Sequence, residues 1–83
     1  MNEYQLIEFS SKKEIKKIVS DKSKLYEVLF DLYQNKLEVM FDKNGKSKGF
    51  VLIFVNSHQL FSIRDITLKN NDEIQIVTSI SGG

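Results

Sequence analysis

The chain contains no cysteine, no proline, no tryptophan and no alanine. Without cysteine there can be no disulfide, no thiolate metal site and no thiol nucleophile. It has one histidine, His58, and no HxxxH or HExxH spacing, so the sequence proposes no metal site. Arg64 is the only arginine, and the net charge is +1. Nucleic-acid binders combine basic patches with arginine and stacking aromatics, so no nucleic-acid partner is expected. No apolar run approaches the roughly 18 residues that span a bilayer, and no signal peptide opens the chain. The expectation is therefore a soluble, cytoplasmic domain with no membrane partner, poor in catalytic side chains and not an enzyme. Lysine (11), isoleucine (9) and asparagine (6) are abundant where alanine and proline are missing. Codon bias in an AT-rich genome accounts for that contrast, so the missing prolines say little about function.

Ile, Leu, Val and Phe supply 29 of the 83 residues, well above the roughly 20% below which chains remain disordered. A chain of this length should bury about 64% of its unfolded surface in one small core. The organisation follows from changes of period. Tyr4 to Phe9 and Ile15 to Val19 read as short strands joined by about five polar residues, an opening hairpin. From Asp21 to Asn35 the period becomes helical, with Leu25, Val28, Leu29 and Leu32 at i, i+3, i+4 and i+7. Ser23 or Asp21 is the expected N-cap, and Asn35 suits the left-handed end. Tyr26, Phe30 and Tyr33 form a second stripe, wrapped by flanking loops or offered to a partner. Asp42 to Gly49 is a polar loop. Phe50 to Val55 is six apolar residues long and the strongest strand, expected at the centre of the sheet. Asn56 to His58 turns the chain, Leu60 to Ile66 is irregular, and Thr67 to Asp72 includes a second turn. Glu73 to Val77 alternates as a half-buried strand does. The order is α+β, with one helix on one face of a mixed sheet.

Few residues carry chemistry. His58 stands alone in a turn with no nucleophile pattern beside it and reads as solvated or packed. Residues 11 to 24 hold six lysines against Glu14 and Asp21; this is a solvated face or a surface for an acidic protein. The most specific feature is Gly82-Gly83. A carboxylate carried on residues without Cβ can enter a channel that rejects any side chain, and six extended residues reach about 20 Å.

From Phe41 onward the chain resembles the MoaD/ThiS family of ubiquitin-like sulfur carriers. The resemblance rests on F-D-K-N-G-K-S-K-G-F-V-L-I-F-V-N (Phe41 to Asn56), L-K-N-N-D-E-I-Q-I-V (Leu68 to Val77) and the closing S-G-G. Asn56-Ser57 stands where the family usually has N-G, and Asn70-Asn71-Asp72 where it has D-G-D. The proline pair that usually precedes the MoaD-like glycines is absent.

The resemblance implies a β-grasp fold, with a mixed four- to five-stranded sheet and one main helix on one face. It implies a domain over residues 1–77 and a flexible tail over 78–83. It further implies a carrier with no bound cofactor, whose Gly83 carboxylate is adenylated by an ATP-dependent MoeB/ThiF-like enzyme and converted to a thiocarboxylate. The sulfur would go to molybdopterin synthesis beside a MoaE-like large subunit, or to thiamine through a thiazole synthase. Small archaeal modifiers of this family are instead joined to protein lysines through the same carboxylate. Ile80, Ser81 and Gly82 would thread the activating enzyme. By parity Val51, Ile53 and Val55 should face the helix with Ile74 and Ile76. Phe50, Leu52 and Phe54, with Val77 and Leu60, should form a partner-binding face on the other side, unless the segment from Lys36 to Lys48 covers it.

Overall fold

The computed structural model describes residues 1–79. Strand β1 (Asn2–Phe9) and strand β2 (Lys13–Ser20) form an antiparallel hairpin, each longer than the apolar segments suggest because polar residues extend the pairing at both ends, Asn2 opposite Ser20 and Lys13 opposite Phe9. Helix α1 (Leu25–Tyr33) follows, then a 3-10 turn (Gln34–Lys36) and a short helix α2 (Leu37–Met40). Strands β3 (Val51–Val55), β4 (His58–Leu60) and β5 (Glu73–Thr78) complete a five-stranded sheet of order β2-β1-β5-β3-β4. β5 runs parallel to β1 and antiparallel to β3. The centre of the sheet is therefore β5, not the strand from Phe50 to Val55. An apolar run of that kind marks burial, and burial alone does not rank strands across a sheet.

The core lies between the sheet and α1. Leu6 faces Ile74 across the parallel pair, and Ile53 faces Ile76 across the antiparallel one. All four side chains are shielded from solvent, as are Leu25, Val28 and Leu29 from the helix and Val51 from β3. Val55 packs against this core from a half-buried position. Leu32 departs from expectation: it is 37% exposed, because α1 ends one residue later and the chain turns aside into the 3-10 segment. Tyr4 joins the core from β1 with the parity of Leu6, and Leu37, Phe41, Ile63 and Leu68 join it from segments with no readable period.

The helix ends also differ from the sequence expectation. Neither Ser23 nor Asp21 caps α1; the N-cap is Lys24, with no side-chain hydrogen bond. The connection before β5 takes over that role. The Leu25 N–H donates to the Ile66 carbonyl at 2.9 Å, and the Leu68 N–H donates to the Ser23 carbonyl at 2.7 Å. A helix start whose free N–H is satisfied by backbone has less need of a capping side chain. At the other end it is Gln34, not Asn35, that takes positive φ, at 54°.

Turns carry strain in several places. Val55 pairs with His58 across Asn56 (φ 51°) and Ser57 (φ 71°), a two-residue hairpin with both central residues left-handed, where Asn-Gly is preferred. His58 is thus the first residue of β4 and is exposed. Asn71 has φ 74° in a turn closed by the Asp72 N–H donating to the Lys69 carbonyl at 3.0 Å. The Asp42 loop is held from within. Its Oδ1 accepts the N–H groups of Lys46 at 2.9 Å and Asn44 at 2.8 Å. These bonds, that of Lys46 foremost, hold the carboxyl below its ordinary value. Gly45 sits inside this loop at φ 81°, and a Cβ there would lie 2.6 Å from Arg64 Cγ.

One polar contact pins the end of α1 to the sheet. The Tyr33 hydroxyl donates to Glu8 Oε2, and Lys16 Nζ pairs with the other oxygen of that carboxylate at 3.1 Å. Burial, together with the bond to Glu8, raises the Tyr33 phenol above its ordinary value.

Two measurements check these points. In denaturant melts Gly45→Ala should lose about 1–3 kcal/mol, from the left-handed backbone and the clash with Arg64, whereas Ser57→Gly should gain up to about 1 kcal/mol. The second concerns pH. A raised phenol favours the neutral form in the folded state, so its contribution is complete below 10.0 and is lost as pH rises through the folded value. Stability followed from neutrality to about pH 11 should therefore fall above the ordinary phenol value, and fall less steeply in Tyr33→Phe.

Candidate functional site

The face of the sheet away from α1 is built by strand parity. With Ile74 and Ile76 turned inward, Val77 turns outward, and its cross-strand neighbours are Leu52 on β3 and Phe9 on β1. Phe54 lies next to it, opposite Gln75 on β5 and Gln59 on β4. Leu52 is 45% exposed, while Phe54 and Val77 are half-buried. Three of the five residues expected on this face are therefore there: Leu52, Phe54 and Val77.

The other two are not. Leu60 pairs with Ile53, shares its inward parity and packs partly buried against the core. Phe50 lies outside β3, in a turn closed by the Val51 N–H donating to the Lys48 carbonyl at 2.9 Å. That turn breaks the alternation on which the expectation for Phe50 rested. Its side chain instead lines a groove on the helix side with Leu32 and Met40. Nor does the segment from Lys36 to Lys48 cover the outer face. Leu37 and Phe41 are buried in the core and line a cleft with Tyr26 and Phe30 of α1.

Sequence reasoning missed Ile7, Phe9 and Ile15. The outward parity of Ile7 and Phe9 was readable once Leu6 was placed inward. That they adjoin Val77 became visible only with β1 beside β5. Ile15 faces Ile7 on the hairpin and extends the apolar surface toward the edge.

The last strand delivers the tail at one end of this surface. Thr78 belongs to β5, and the Ser79 N–H still donates to the Phe50 carbonyl at 2.9 Å. Residues 78 and 79 are thus tied to the sheet, where a free tail was expected from Thr78 onward. Ile80, Ser81, Gly82 and Gly83, the expected threading and reactive residues, lie outside the described residues.

The lysine-rich stretch is explained by the sheet. Lys12 to Lys17 lie in or beside β2, which is an edge strand. Lys16 pairs with Glu8, Lys17 with Glu3 at 3.8 Å, and Lys22 with Asp31 at 3.0 Å. Exposed pairs of this kind add little stability, but lysines along an edge discourage pairing with another sheet. The second aromatic stripe is largely wrapped. Arg64 stacks over Tyr26 at 4.5 Å, Tyr33 bonds Glu8, and Phe30 remains exposed. Among the described residues no group of three or more His, Asp or Glu side chains could hold a metal ion, and no helix is long and apolar enough to cross a membrane.

No known family model matches the chain. Among curated proteins, it is 29% identical over 76 residues to DNA-directed RNA polymerase III subunit rpc1 of Dictyostelium discoideum; the match covers 92% of this chain but spans only 5% of that protein. Two solved structures are similar across nearly the whole chain. One is the solution structure of the HVO 2177 protein of Haloferax volcanii, with a TM-score of 0.66, 19% identity, and 99% of this chain and 87% of that one covered. The other is the solution structure of the small archaeal modifier protein 1 (SAMP1) of Methanosarcina acetivorans, with a TM-score of 0.57, 22% identity, and coverage of 100% and 98%. At these identities the likeness carries the fold: the chain is a ubiquitin-like β-grasp domain.

Proposed function

We propose that this chain is a ubiquitin-like modifier, joined to lysines of other proteins through the carboxylate of Gly83. The observation that carries the reading is the end-to-end likeness to small archaeal modifier protein 1, in a chain whose sequence has Gly82-Gly83 four positions after its central strand ends at Thr78. A carboxylate is a poor acyl donor. Attack on the α-phosphorus of ATP releases pyrophosphate and leaves an acyl adenylate, from which a lysine amine displaces AMP to form an isopeptide bond. The adenylating enzyme supplies that step; this chain supplies a narrow carboxylate and a surface to be recognised. Leu52, Phe54 and Val77 form the docking surface for the enzyme, since they are outward, apolar and next to the root of the tail.

The second reading is a sulfur carrier. The likeness of Phe41 to Asn56 and Leu68 to Val77 to the MoaD/ThiS pattern favours it. Here sulfur instead of an amine displaces AMP, giving a thiocarboxylate for a molybdopterin or thiazole acceptor.

One experiment separates them. The tagged chain is expressed in its own host and the products are digested with trypsin. Cleavage after Lys69 leaves a 14-residue remnant, Asn70 to Gly83, on any modified lysine. The modifier reading expects this remnant on other proteins, its loss on deletion of Gly83, and a marked reduction in Leu52→Glu without loss of stability. A Gly83 thiocarboxylate with no remnant on any lysine assigns the chain to sulfur transfer. Equal modification with and without Gly83 would sink both readings.

A further inference from the structure

A second surface, on the helix side of the sheet, has no part in the outer face of Leu52, Phe54 and Val77. A cleft of about 610 Å³ opens between α1, α2 and the loop that follows them. Its apolar wall is Tyr26 and Phe30 of α1, Leu37 of α2, and Phe41. Leu37 and Phe41 are buried and root the wall in the core, whereas Phe30 is 44% exposed. The Tyr26 and Phe30 rings stack at 6.2 Å, so the two form one continuous aromatic surface.

The rim is charged, and unequally so. Lys43, Lys48 and Arg64 are the basic residues there, and Glu38 and Asp42 the acidic ones. Asp42 is engaged by its own loop, accepting the Asn44 and Lys46 N–H groups. Arg64, the chain's only arginine, is held from three sides. Its guanidinium lies over Tyr26 at 4.5 Å, and its Nη2 donates to the Lys43 carbonyl at 3.0 Å. Its Cγ packs where Gly45 has no side chain; a Cβ there would lie 2.6 Å from it. Among the described residues no carboxylate pairs with Arg64, and the bond to Lys43 leaves most of the guanidinium's donors free. A pre-positioned guanidinium beside an exposed aromatic ring matches a carboxylate that stands next to a large apolar group. The excess over the rim's acids is one positive charge. That suits a single carboxylate, whereas a phosphate dianion would meet Glu38 and Asp42.

We propose that this cleft is a docking site for a segment of another protein in which an acidic side chain adjoins a large apolar one. The carboxylate sits on Arg64 and Lys48, and the apolar group lies against Phe30. Such a partner approaches from the helix side, so it can be bound while Leu52, Phe54 and Val77 are engaged from the other side of the sheet. The site is independent of what Gly83 is used for.

The test is peptide selection on the isolated chain. Random peptides displayed on phage are selected against the chain and depleted against Arg64→Gln and against Lys48→Glu. Lys48 and Arg64 are exposed, so both variants should retain the core resonances of Leu29 and Ile53. Peptides that survive depletion are expected to pair Asp or Glu with Phe, Trp or Leu. Titrated into the isotope-labelled chain, such a peptide should shift the Arg64 Nε–H and the Phe30 ring resonances. Replacing its acid by the matching amide should weaken it roughly tenfold, through loss of a charge-assisted hydrogen bond. The proposal is overturned if no peptide distinguishes the chain from the two variants, or if the surviving peptides lack an acid. Shifts centred on Leu52 and Val77 overturn it as well. Shifts of Arg64 and Phe30 on concentrating the chain alone would assign the cleft to a second copy instead. The same shifts with inorganic phosphate at lower concentration than peptide would assign it to a phosphate, and either result overturns the proposal. No readout uses ATP or Gly83, so this site and the modifier reading stand or fall separately.

Discussion

Everything else in the molecule hangs on the parallel pairing of its first and last strands. Gln5 to Phe9 run beside Glu73 to Val77, so nearly the whole chain intervenes between two strands at the middle of the sheet. A parallel pair cannot be closed by a tight turn. The hairpin, the helix, α2 and the β3–β4 hairpin all serve as its crossover, and Leu6 opposite Ile74 anchors the core. The entropy of closing so long a loop has to be met before the contacts reward it. That is consistent with the inward residues on both strands being shielded from solvent.

This pairing also decides where function can sit. β5 lies at the middle of the sheet, hydrogen-bonded to β1 on one side and β3 on the other. The sheet's two faces meet at its end. On one, Val77 lies between Phe9 and Leu52; on the other, Thr78 closes the groove of Leu32, Val39 and Phe50.

The composition shows in the details. With four glycines and no proline, the chain places Asn56, Ser57 and Asn71 at left-handed positions that glycine would fill without strain. Asparagine tolerates this better than most residues because its short polar side chain bonds locally. The Asn56 side chain bonds to the neighbouring turn instead, its Oδ1 accepting the Glu73 N–H and its Nδ2 donating to Asp72. At Gly45 no substitute is available, because the backbone there lies against Arg64 as well as at positive φ. The exposed edges are managed by other means: lysines along β2, and only three residues in β4.

The sequence by itself determined the opening hairpin, the main helix and the strands that became β3 and β5, the inward residues of those two strands, and the face of α1 through Val28 and Leu29, because alternation and helical period are local properties of the chain; α2 and β4 formed where it reads a mixed segment and a turn. It also placed Leu52, Phe54 and Val77 outward, since parity within a strand needs no knowledge of its neighbours. Only the tertiary structure decided that β5 is central, that Phe9 adjoins Val77, and that Leu60 belongs to the core, because pairing partners are chosen between distant segments. It moved Phe50 to the helix side through the Lys48–Val51 turn, left Leu32 at a rim, and started α1 on a backbone bond to Ile66 in place of a capping side chain. Irregular segments such as that around Ile63 carry no period to read. Their burial follows from the shape of the space left between helix and sheet, and that shape exists only once the chain has closed on itself.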